Sequence, residues 1–186
     1  MRSILAVVNV LGALLALFSG YYLLPIATAL IYHDDASLRV FGISAGLALA
    51  LGAVLVLATL RFRTELKPRD GYLLVSLGWL AVTAAAALPM MIGAPQLSFT
   101  DAFFESMSGL STTGSTVITG LDQLPKAVNL WRCALHWLGG MGIIVLAVAI
   151  LPLLGVGGMQ MYRAETPGPV KDAKLTPRIT ETAKML

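Results

Sequence analysis

Charged residues are scarce in this sequence, and their scarcity limits what the protein can be. Of its 186 residues only 12% are charged (13 Lys or Arg and 10 Asp or Glu), about half the usual share of a globular protein, and 57% are hydrophobic. The mean hydropathy is +0.81. A soluble domain of this length cannot bury so much apolar surface, which excludes a soluble enzyme, a disordered tail and a nucleic-acid-binding module. The composition predicts an integral membrane protein.

Cysteine is nearly absent as well, since Cys133 is the only one in the chain. A single cysteine excludes an internal disulfide and a metal site built from several thiolates. The formal net charge is +3. However, the basic residues stand beside the apolar stretches, where they indicate membrane topology rather than a nucleic-acid partner.

Four long stretches contain almost no charge, and each is long enough to cross a bilayer. A hydrocarbon core of roughly 30 Å requires about 20 helical residues. The stretches are Ile4–Tyr32, Val40–Leu60, Tyr72–Ile92 and Cys133–Gly158, the last interrupted only by His136. Because every backbone amide in lipid must be bonded within its own segment, helices are expected. The predicted fold class is all-α integral membrane.

The first stretch also has features of a secretory signal peptide. Arg2 precedes it, and the small residues Ala27, Thr28 and Ala29 resemble a cleavage site. The apolar core of a signal peptide is typically about 7–15 residues long, and this stretch is nearly twice that. A retained transmembrane helix is therefore the favoured interpretation.

Lys and Arg residues are much more numerous on one side of the four predicted spans than on the other. The N-terminus, the link Arg61–Asp70 and the tail after Gly158 hold 10 of the 13 Lys and Arg residues. The exceptions are Arg39, Lys126 and Arg132. By the positive-inside tendency, the N-terminus is predicted to be cytoplasmic, and Gly93–Asn129 is predicted to begin and end outside.

The segment between the third and fourth spans begins like a short helix. Ser98 and Asp101 fit a capping box, which predicts a helix from Phe99, and Gly109 is a natural stop. About ten residues at 1.5 Å each cover about 15 Å, half the thickness of a membrane. Such a helix either packs on the outer surface or dips into the membrane and returns.

The residues that follow this helix favour the second alternative. Residues 112–116 read Thr-Thr-Gly-Ser-Thr, a small, hydroxyl-bearing run with Gly114 at its centre. A glycine there allows a partly left-handed backbone that turns its carbonyls one way, and inward carbonyls can replace the water shell of K⁺. The C-terminal end of the half-helix adds a favourable field for a cation. Between two spans, the run predicts a cation-conducting loop.

Four short motifs lie between residues 103 and 179. Residues 103–106 read Phe-Phe-Glu-Ser, residues 111–116 Ser-Thr-Thr-Gly-Ser-Thr, residues 136–143 His-Trp-Leu-Gly-Gly-Met-Gly-Ile, and residues 174–179 Lys-Leu-Thr-Pro-Arg-Ile. Together they resemble the first repeat, and the start of the second, in the Trk/Ktr/HKT superfamily of potassium transporters in its bacterial Trk form. The two N-terminal spans resemble the helix pair that precedes this repeat, so the resemblance covers essentially the whole chain.

The resemblance implies a pore surrounded by four helix–pore helix–helix repeats, each contributing one selectivity-filter strand. By position, the carbonyls that bind K⁺ are those of Thr112 and Thr113, with Gly114 and Ser115 continuing the strand. It also implies K⁺ as the transported ion without a permanently bound cofactor, a place among the lipids of the bacterial cytoplasmic membrane, and a cytosolic nucleotide-binding regulatory subunit. Whether transport is channel-like or a symport with protons or sodium stays open.

Six residues are candidates for supporting the filter: Ser111, Thr116, Glu105, Gly139, Gly140 and Gly142. The glycines let the fourth span approach the filter, and packing without a part in transport is the favoured interpretation of them. Glu105 is either an intramembrane ion site or, as favoured, a carboxylate bonding groups behind the filter. For His136 a structural hydrogen bond is favoured over a proton relay.

Two other functions are open on the sequence alone. One is an intramembrane serine protease that uses Ser111 and His136. The sequence Gly109-Leu110-Ser111 disfavours it, since no second glycine adjoins the serine. The other is a helical scaffold or assembly partner without its own pore.

The predicted organisation is a helix pair over residues 1–66, a first repeat over 67–160, and a cytoplasmic linker with the start of a further repeat over 161–186. Thr176 is a good N-cap and Pro177 suits the first helical position, yet the helix that they start ends after about two turns. We expect the leading part of a longer protein with three further repeats. The alternative is a short subunit that assembles with other copies as a homotetramer.

Overall fold

The computed structural model describes residues 2–62, 68–93 and 97–150, and helices account for most of these ranges. In chain order the elements are α1 (Arg2–Ser19), a 3-10 turn (Gly20–Tyr22), α2 (Leu23–Ile31), α3 (Asp35–Thr59), a 3-10 turn (Leu60–Phe62), α4 (Pro68–Ile92), α5 (Phe99–Leu110), a 3-10 turn (Leu121–Gln123) and α6 (Lys126–Ile150). Residues 1–140 form one compact unit, to which the contacts below belong. The second unit begins at Met141 and is described only as the end of α6.

Among the residues that the structure describes, three helical segments are long and apolar enough to cross a membrane: Ile4–Ile31, Asp35–Thr59 and Asp70–Ile92. They coincide with the first three predicted spans, and the predicted all-α integral membrane fold is confirmed. The fourth predicted span is helical as far as Ile150. Its remainder, the basic tail and the motif at 174–179 lie outside the described residues.

The first span is interrupted by the 3-10 turn Gly20–Tyr22. Pro25 follows the turn, and since proline has no N–H, it cannot donate to the carbonyl of Tyr21 as a continuous α-helix requires. The turn separates α1 from α2 and lies at the level where two tyrosine hydroxyls reach other helices. Tyr22 donates to the carbonyl of Ala85 in α4, and Tyr21 donates to that of Ala134 in α6, both at 2.6 Å.

Helices α1 and α3 cross at glycines. A Cβ added at Gly52 would lie 2.6 Å from the backbone nitrogen of Ala16, and one added at Gly12 would also meet α3 at less than 3 Å. Asn9 adds a polar link across the same pair, since its Nδ2 donates to Thr59 Oγ1 at 3.0 Å. Small residues permit this approach and favour van der Waals packing between helices in a membrane. The pair is a tightly packed hairpin.

The hairpin meets the rest of the unit at Trp131, which is fully buried near the start of α6. The Trp131 indole donates to the carbonyl of Ala86 at 3.1 Å. Its ring packs at centroid distances of 4.7–5.9 Å against four aromatic residues from the two N-terminal spans: Phe18, Tyr21, Tyr22 and Phe41. Aromatic burial of this kind is a large apolar contribution with a fixed geometry. The N-terminal hairpin therefore fixes the position of α6 where the loop after α5 enters it.

Candidate functional site

Helix α5 begins and ends close to where its sequence predicts. Ser98 Oγ accepts a hydrogen bond from the Asp101 N–H at 3.2 Å and donates to Asp101 Oδ2 at 2.7 Å, so Ser98 is the N-cap and the helix begins at Phe99. The helix ends at Leu110 after 12 residues, a length of about 18 Å. It is about half as long as α4 and α6 and ends beside α6.

The backbone after α5 turns back onto the end of that helix. The Ser108 carbonyl accepts hydrogen bonds from the N–H groups of Thr113 at 3.0 Å and Gly114 at 3.3 Å. In a planar trans peptide the C=O points opposite to the N–H of the following residue. The carbonyls of Thr112 and Thr113 therefore point away from α5, on a segment (residues 111–117) whose residues are all exposed.

Two residues of this segment have left-handed backbone conformations. Gly114 has φ +77°, as expected of a glycine at the centre of the run, and Thr112 has φ +58°. The left-handed region is accessible to glycine but strained for a β-branched residue such as threonine, and strain of this kind concentrates at functional sites. Thr112 is a feature that the sequence did not indicate.

Serine side chains tie this segment to α5. Ser108 Oγ donates to the Ser115 carbonyl at 2.7 Å, which uses one of the two lone pairs of that carbonyl. The hydroxyls of Ser111 and Thr113 are 2.8 Å apart, and Ser111 also donates to the Ser108 carbonyl at 3.4 Å. Ser111, the candidate protease nucleophile, therefore has its hydroxyl engaged within the loop.

Glu105 connects α5, the end of the loop and α6. Its Oε1 accepts hydrogen bonds from Thr116 Oγ1 at 2.5 Å and from the Val117 N–H at 2.6 Å. Its Oε2 accepts from Arg132 Nε at 3.2 Å, and the Glu105 side chain is only 2% exposed. A buried carboxylate is stable only when it is paired and hydrogen-bonded. Glu105 is both, on the side of the loop that faces the helices.

The glycines of α6 differ in how closely they approach the loop. A Cβ at Gly139 would lie 1.9 Å from the carbonyl oxygen of Leu110, the last residue of α5, so the two backbones are in direct contact. A Cβ at Gly140 would lie 3.9 Å from Thr112 Cγ2, an ordinary van der Waals distance. Gly142 belongs to the part of α6 in the second unit. Gly139 is thus the position at which only glycine fits.

His136 lies behind the glycine of the loop. Its Nδ1 is 2.9 Å from the Arg132 carbonyl, which requires the proton to be on Nδ1. Its Nε2 is 3.7 Å from the position of a Cβ on Gly114. The structural hydrogen bond favoured for His136 is present in this geometry.

The oxygen atoms on the exposed side of the loop come from carbonyls and hydroxyls. Within residues 2–62, 68–93 and 97–150 no group of three or more His, Cys, Asp or Glu residues could hold a metal ion. A weakly hydrated monovalent cation is bound by such neutral oxygens rather than by a carboxylate cluster.

Sequence reasoning missed Arg132 as part of the site. In the sequence it stands out only as one of three basic residues on the predicted outer side of the membrane. A signal was available, because a carboxylate predicted to be buried on α5 needs a cationic partner, and Arg132 stands at the start of the neighbouring helix. The pairing depends on how α5 and α6 dock, which no local pattern gives.

The apolar spans define an all-helical integral membrane protein, in which a half-length helix is followed by a loop of neutral oxygens. Comparison with known families agrees. The model of the TrkH family, described as a cation transport protein, matches residues 38–186, and the chain belongs to this family. The Trk resemblance predicted from the sequence is confirmed, and the family consists of transporters rather than enzymes.

Relatives in other bacteria show the same relationship over nearly all of the chain. The Trk system potassium uptake protein TrkH of Vibrio parahaemolyticus is 55% identical over 97% of this chain and 37% of the relative. That of Escherichia coli K12 is 53% identical over 97% and 38%, and that of Halomonas elongata is 52% identical over 99% and 38%. The chain therefore spans less than two fifths of the length of these relatives.

A solved structure matches the fold. The crystal structure of the potassium transporter TrkH from Vibrio parahaemolyticus superposes with a TM-score of 0.80 at 47% sequence identity, covering 98% of this chain and 36% of that one. The relatives and the apolar helices together indicate a protein of the bacterial inner membrane.

Proposed function

We propose that this chain supplies one of four selectivity-filter strands to a pore that takes up K⁺ across the bacterial cytoplasmic membrane. The observation that carries the proposal is the pair of successive carbonyls, on Thr112 and Thr113, that point away from α5. The positive φ values at Thr112 and Gly114 support it, because residues with left-handed backbone interrupt the alternating carbonyl directions of a regular strand. The potassium-uptake names of the relatives agree with K⁺ as the ion.

The proposed ligands are the carbonyl oxygens of Thr112, Thr113, Gly114 and Ser115. The Ser115 carbonyl has one lone pair left beside its bond from Ser108. One strand covers only one side of a bare ion, so three further strands are required, from additional repeats or from other copies of the chain. The helix α5 acts as the pore helix and places its negative C-terminal end near the ion path.

The proposal extends to organisation and orientation. Residues 1–66 form the leading helix pair, 67–160 one helix–pore helix–helix repeat, and 161–186 a linker and the start of another. The N-terminus lies in the cytoplasm, where a nucleotide-binding regulatory subunit acts on the pore. The excess of Lys and Arg on the cytoplasmic side supports this orientation.

Transport is tested by expressing the complete reading frame in a bacterial host that lacks its own K⁺ uptake systems. We expect growth at low external K⁺ and K⁺ uptake that an equal concentration of Na⁺ does not suppress. A protein that accumulates in the membrane but restores neither would contradict the proposal and favour a scaffold without its own pore.

Orientation is tested with single cysteines in a Cys133→Ser background. Arg61 and Gln123 are both exposed, so Arg61→Cys and Gln123→Cys place a thiol at each proposed side. An impermeant thiol reagent added to intact cells should label position 123 and leave position 61 unlabelled until the cells are opened. The reverse pattern would overturn the orientation.

A further inference from the structure

Arg132 forms an ion pair with Glu105, whose carboxylate accepts hydrogen bonds from the loop. Glu105 is 2% exposed and Arg132 is 13% exposed, so their ion pair is shielded from water on both sides. The Arg132 Nε donates to Oε2 at 3.2 Å and thereby leaves Oε1 for the loop. Oε1 then accepts from the hydroxyl of Thr116 and from the backbone of Val117, the two residues after the proposed ligands.

The helix backbone at Arg132 is held in place by the contacts of the preceding residue, Trp131. The neighbouring Trp131 is fully buried, donates to the Ala86 carbonyl at 3.1 Å and stacks on Tyr22 at a centroid distance of 4.7 Å. The backbone at this point of α6 is therefore anchored to both α4 and the N-terminal hairpin. Because the backbone at Arg132 is fixed, its guanidinium can hold the Glu105 carboxylate only within a narrow range of positions.

We propose that Arg132 is a positioning residue for ion selectivity, which acts through Glu105 on the strand that ends the filter. The proposal rests on the function proposed above and deepens it. Arg132 touches no ion. It holds the Glu105 carboxylate turned so that one oxygen anchors residues 116 and 117, which fixes the spacing of the carbonyls before them.

The physical consequence of removing Arg132 follows from burial. An unpaired carboxylate in a water-poor site is strongly disfavoured, so Glu105 turns toward water. A carboxylate that has turned no longer presents the same acceptor to Thr116 and Val117. The strand then has more than one arrangement, and a flexible ring of carbonyls discriminates less well between K⁺ and Na⁺.

The test compares three variants of the complete protein in vesicles, with K⁺ and Na⁺ flux measured on equal amounts of purified protein. Arg132→Gln removes the charge and leaves Glu105 unpaired. Glu105→Gln/Arg132→Gln replaces the ion pair with two amides that can hydrogen-bond to each other while an amide oxygen still faces the loop. Arg39→Gln is the matched control, since Arg39 is an exposed arginine on α3.

We expect the K⁺/Na⁺ flux ratio to fall at least about tenfold in Arg132→Gln, and to return to within about threefold of wild type in the double variant. Arg39→Gln should keep the wild-type ratio. A residue that only stabilises the fold would lower both fluxes together and leave their ratio unchanged. If Arg132→Gln does not accumulate, the double variant is compared with the wild type, and a K⁺/Na⁺ ratio more than about threefold below wild type would overturn the inference.

An unchanged ratio in Arg132→Gln would overturn the inference, and so would a double variant that accumulates with no better ratio than the single one. A double variant that fails to accumulate would overturn it too, because the amide pair is predicted to replace the ion pair. These outcomes differ from failure of the proposed function itself, in which the wild-type protein shows no K⁺-selective flux.

Discussion

The α1–α3 hairpin and the α5–α6 loop are both assembled by close backbone contact, but they are held by different forces. In the hairpin, Gly12 and Gly52 bring two regular helices together, and most of the surrounding side chains are apolar. In the loop, Gly139 brings α6 against the end of α5, and an irregular backbone follows. Such a backbone lacks the internal hydrogen bonds of a helix and takes its partners from the end of α5 and from nearby side chains. Ser108 and Glu105 provide them.

By this difference the hairpin is a scaffold, and the loop is the candidate functional site. The hairpin can lose a little packing and remain a pair of helices, since each helix satisfies its own backbone. The loop does not satisfy its own backbone in this way, because its conformation depends on a few polar side chains and one glycine contact. Mutations that are equal in size should therefore have unequal effects in the two regions.

The largest effect is expected for Gly139→Ala. Its methyl group would lie 1.9 Å from the Leu110 carbonyl oxygen, so the end of α5 must move by more than 1 Å, two residues before the proposed filter. We expect K⁺ uptake to fall by about a hundredfold, in line with the effect of a 1 Å misplacement in a preorganised site.

Gly140→Ala is the matched control for that change. The added methyl group meets Thr112 Cγ2 at an ordinary 3.9 Å, so uptake should stay within about twofold of wild type. Uptake rates per amount of membrane protein provide the comparison. Equal losses in the two variants would mean that the contact with Leu110 does not control the loop.

The second effect lies in the hairpin. Gly52→Ala places a methyl group 2.6 Å from the Ala16 backbone nitrogen and forces α1 and α3 apart, whereas Gly46→Ala on the same helix meets nothing within 4 Å. We expect Gly52→Ala to lower stability by about 1–3 kcal/mol with its K⁺/Na⁺ ratio unchanged. Thermal unfolding in detergent should leave Gly46→Ala at the wild-type Tm. A changed ion preference in Gly52→Ala would remove the distinction between scaffold and site.

A smaller effect is expected where the hairpin contacts α4. Tyr22 donates to the Ala85 carbonyl, which lacks its usual helical donor because Pro89 stands four residues later. Tyr22→Phe leaves that buried carbonyl unsatisfied and should cost about 1–2 kcal/mol in thermal unfolding. The exposed Tyr32 is the control, and Tyr32→Phe should leave the Tm unchanged. Equal Tm values for the two variants would show that the Tyr22 hydrogen bond contributes nothing.

Whether the sequence predicted a feature depended on how close together in the chain the residues that form it lie. The N-cap at Ser98 and the left-handed backbone at Gly114 follow from neighbouring residues, and both are present. The left-handed Thr112, the Glu105–Arg132 pair and the Tyr22–Ala85 bond were not predicted. The ion pair and the Tyr22 bond join elements that are distant in sequence, so tertiary packing decides them. The left-handed Thr112 is local, because the N–H groups of Thr112 and Thr113 bond to the last turn of α5, at a position where glycine is the usual residue. Single-sequence patterns report the elements and not how they dock.

The smallest predicted effect concerns the turn within the hairpin. Hydrogen bonds from the hydroxyl and N–H of Ser37 lower the pKa of Asp34, the N-cap of α3. A lowered pKa means that Asp34 stabilises the fold above its unfolded pKa, and that this contribution is lost as the pH falls through its folded pKa. Asp34→Ala should therefore lower the Tm slightly at pH 7, and this difference should shrink as the pH falls through the lowered folded pKa of Asp34. A Tm difference that persists at low pH would contradict this.

The central claim is that the backbone at residues 112–115 selects the ion, and two glycines allow it to be tested directly. Gly114 and Gly120 have φ +77° and +71°, and a Cβ at either meets its nearest neighbour at 3.7–3.8 Å, so a serine is equally strained at both. Only Gly114 lies in the proposed filter. The K⁺/Na⁺ flux ratio of the complete protein should fall at least about tenfold in Gly114→Ser and stay at the wild-type value in Gly120→Ser. Equal ratios in the two variants would contradict the account.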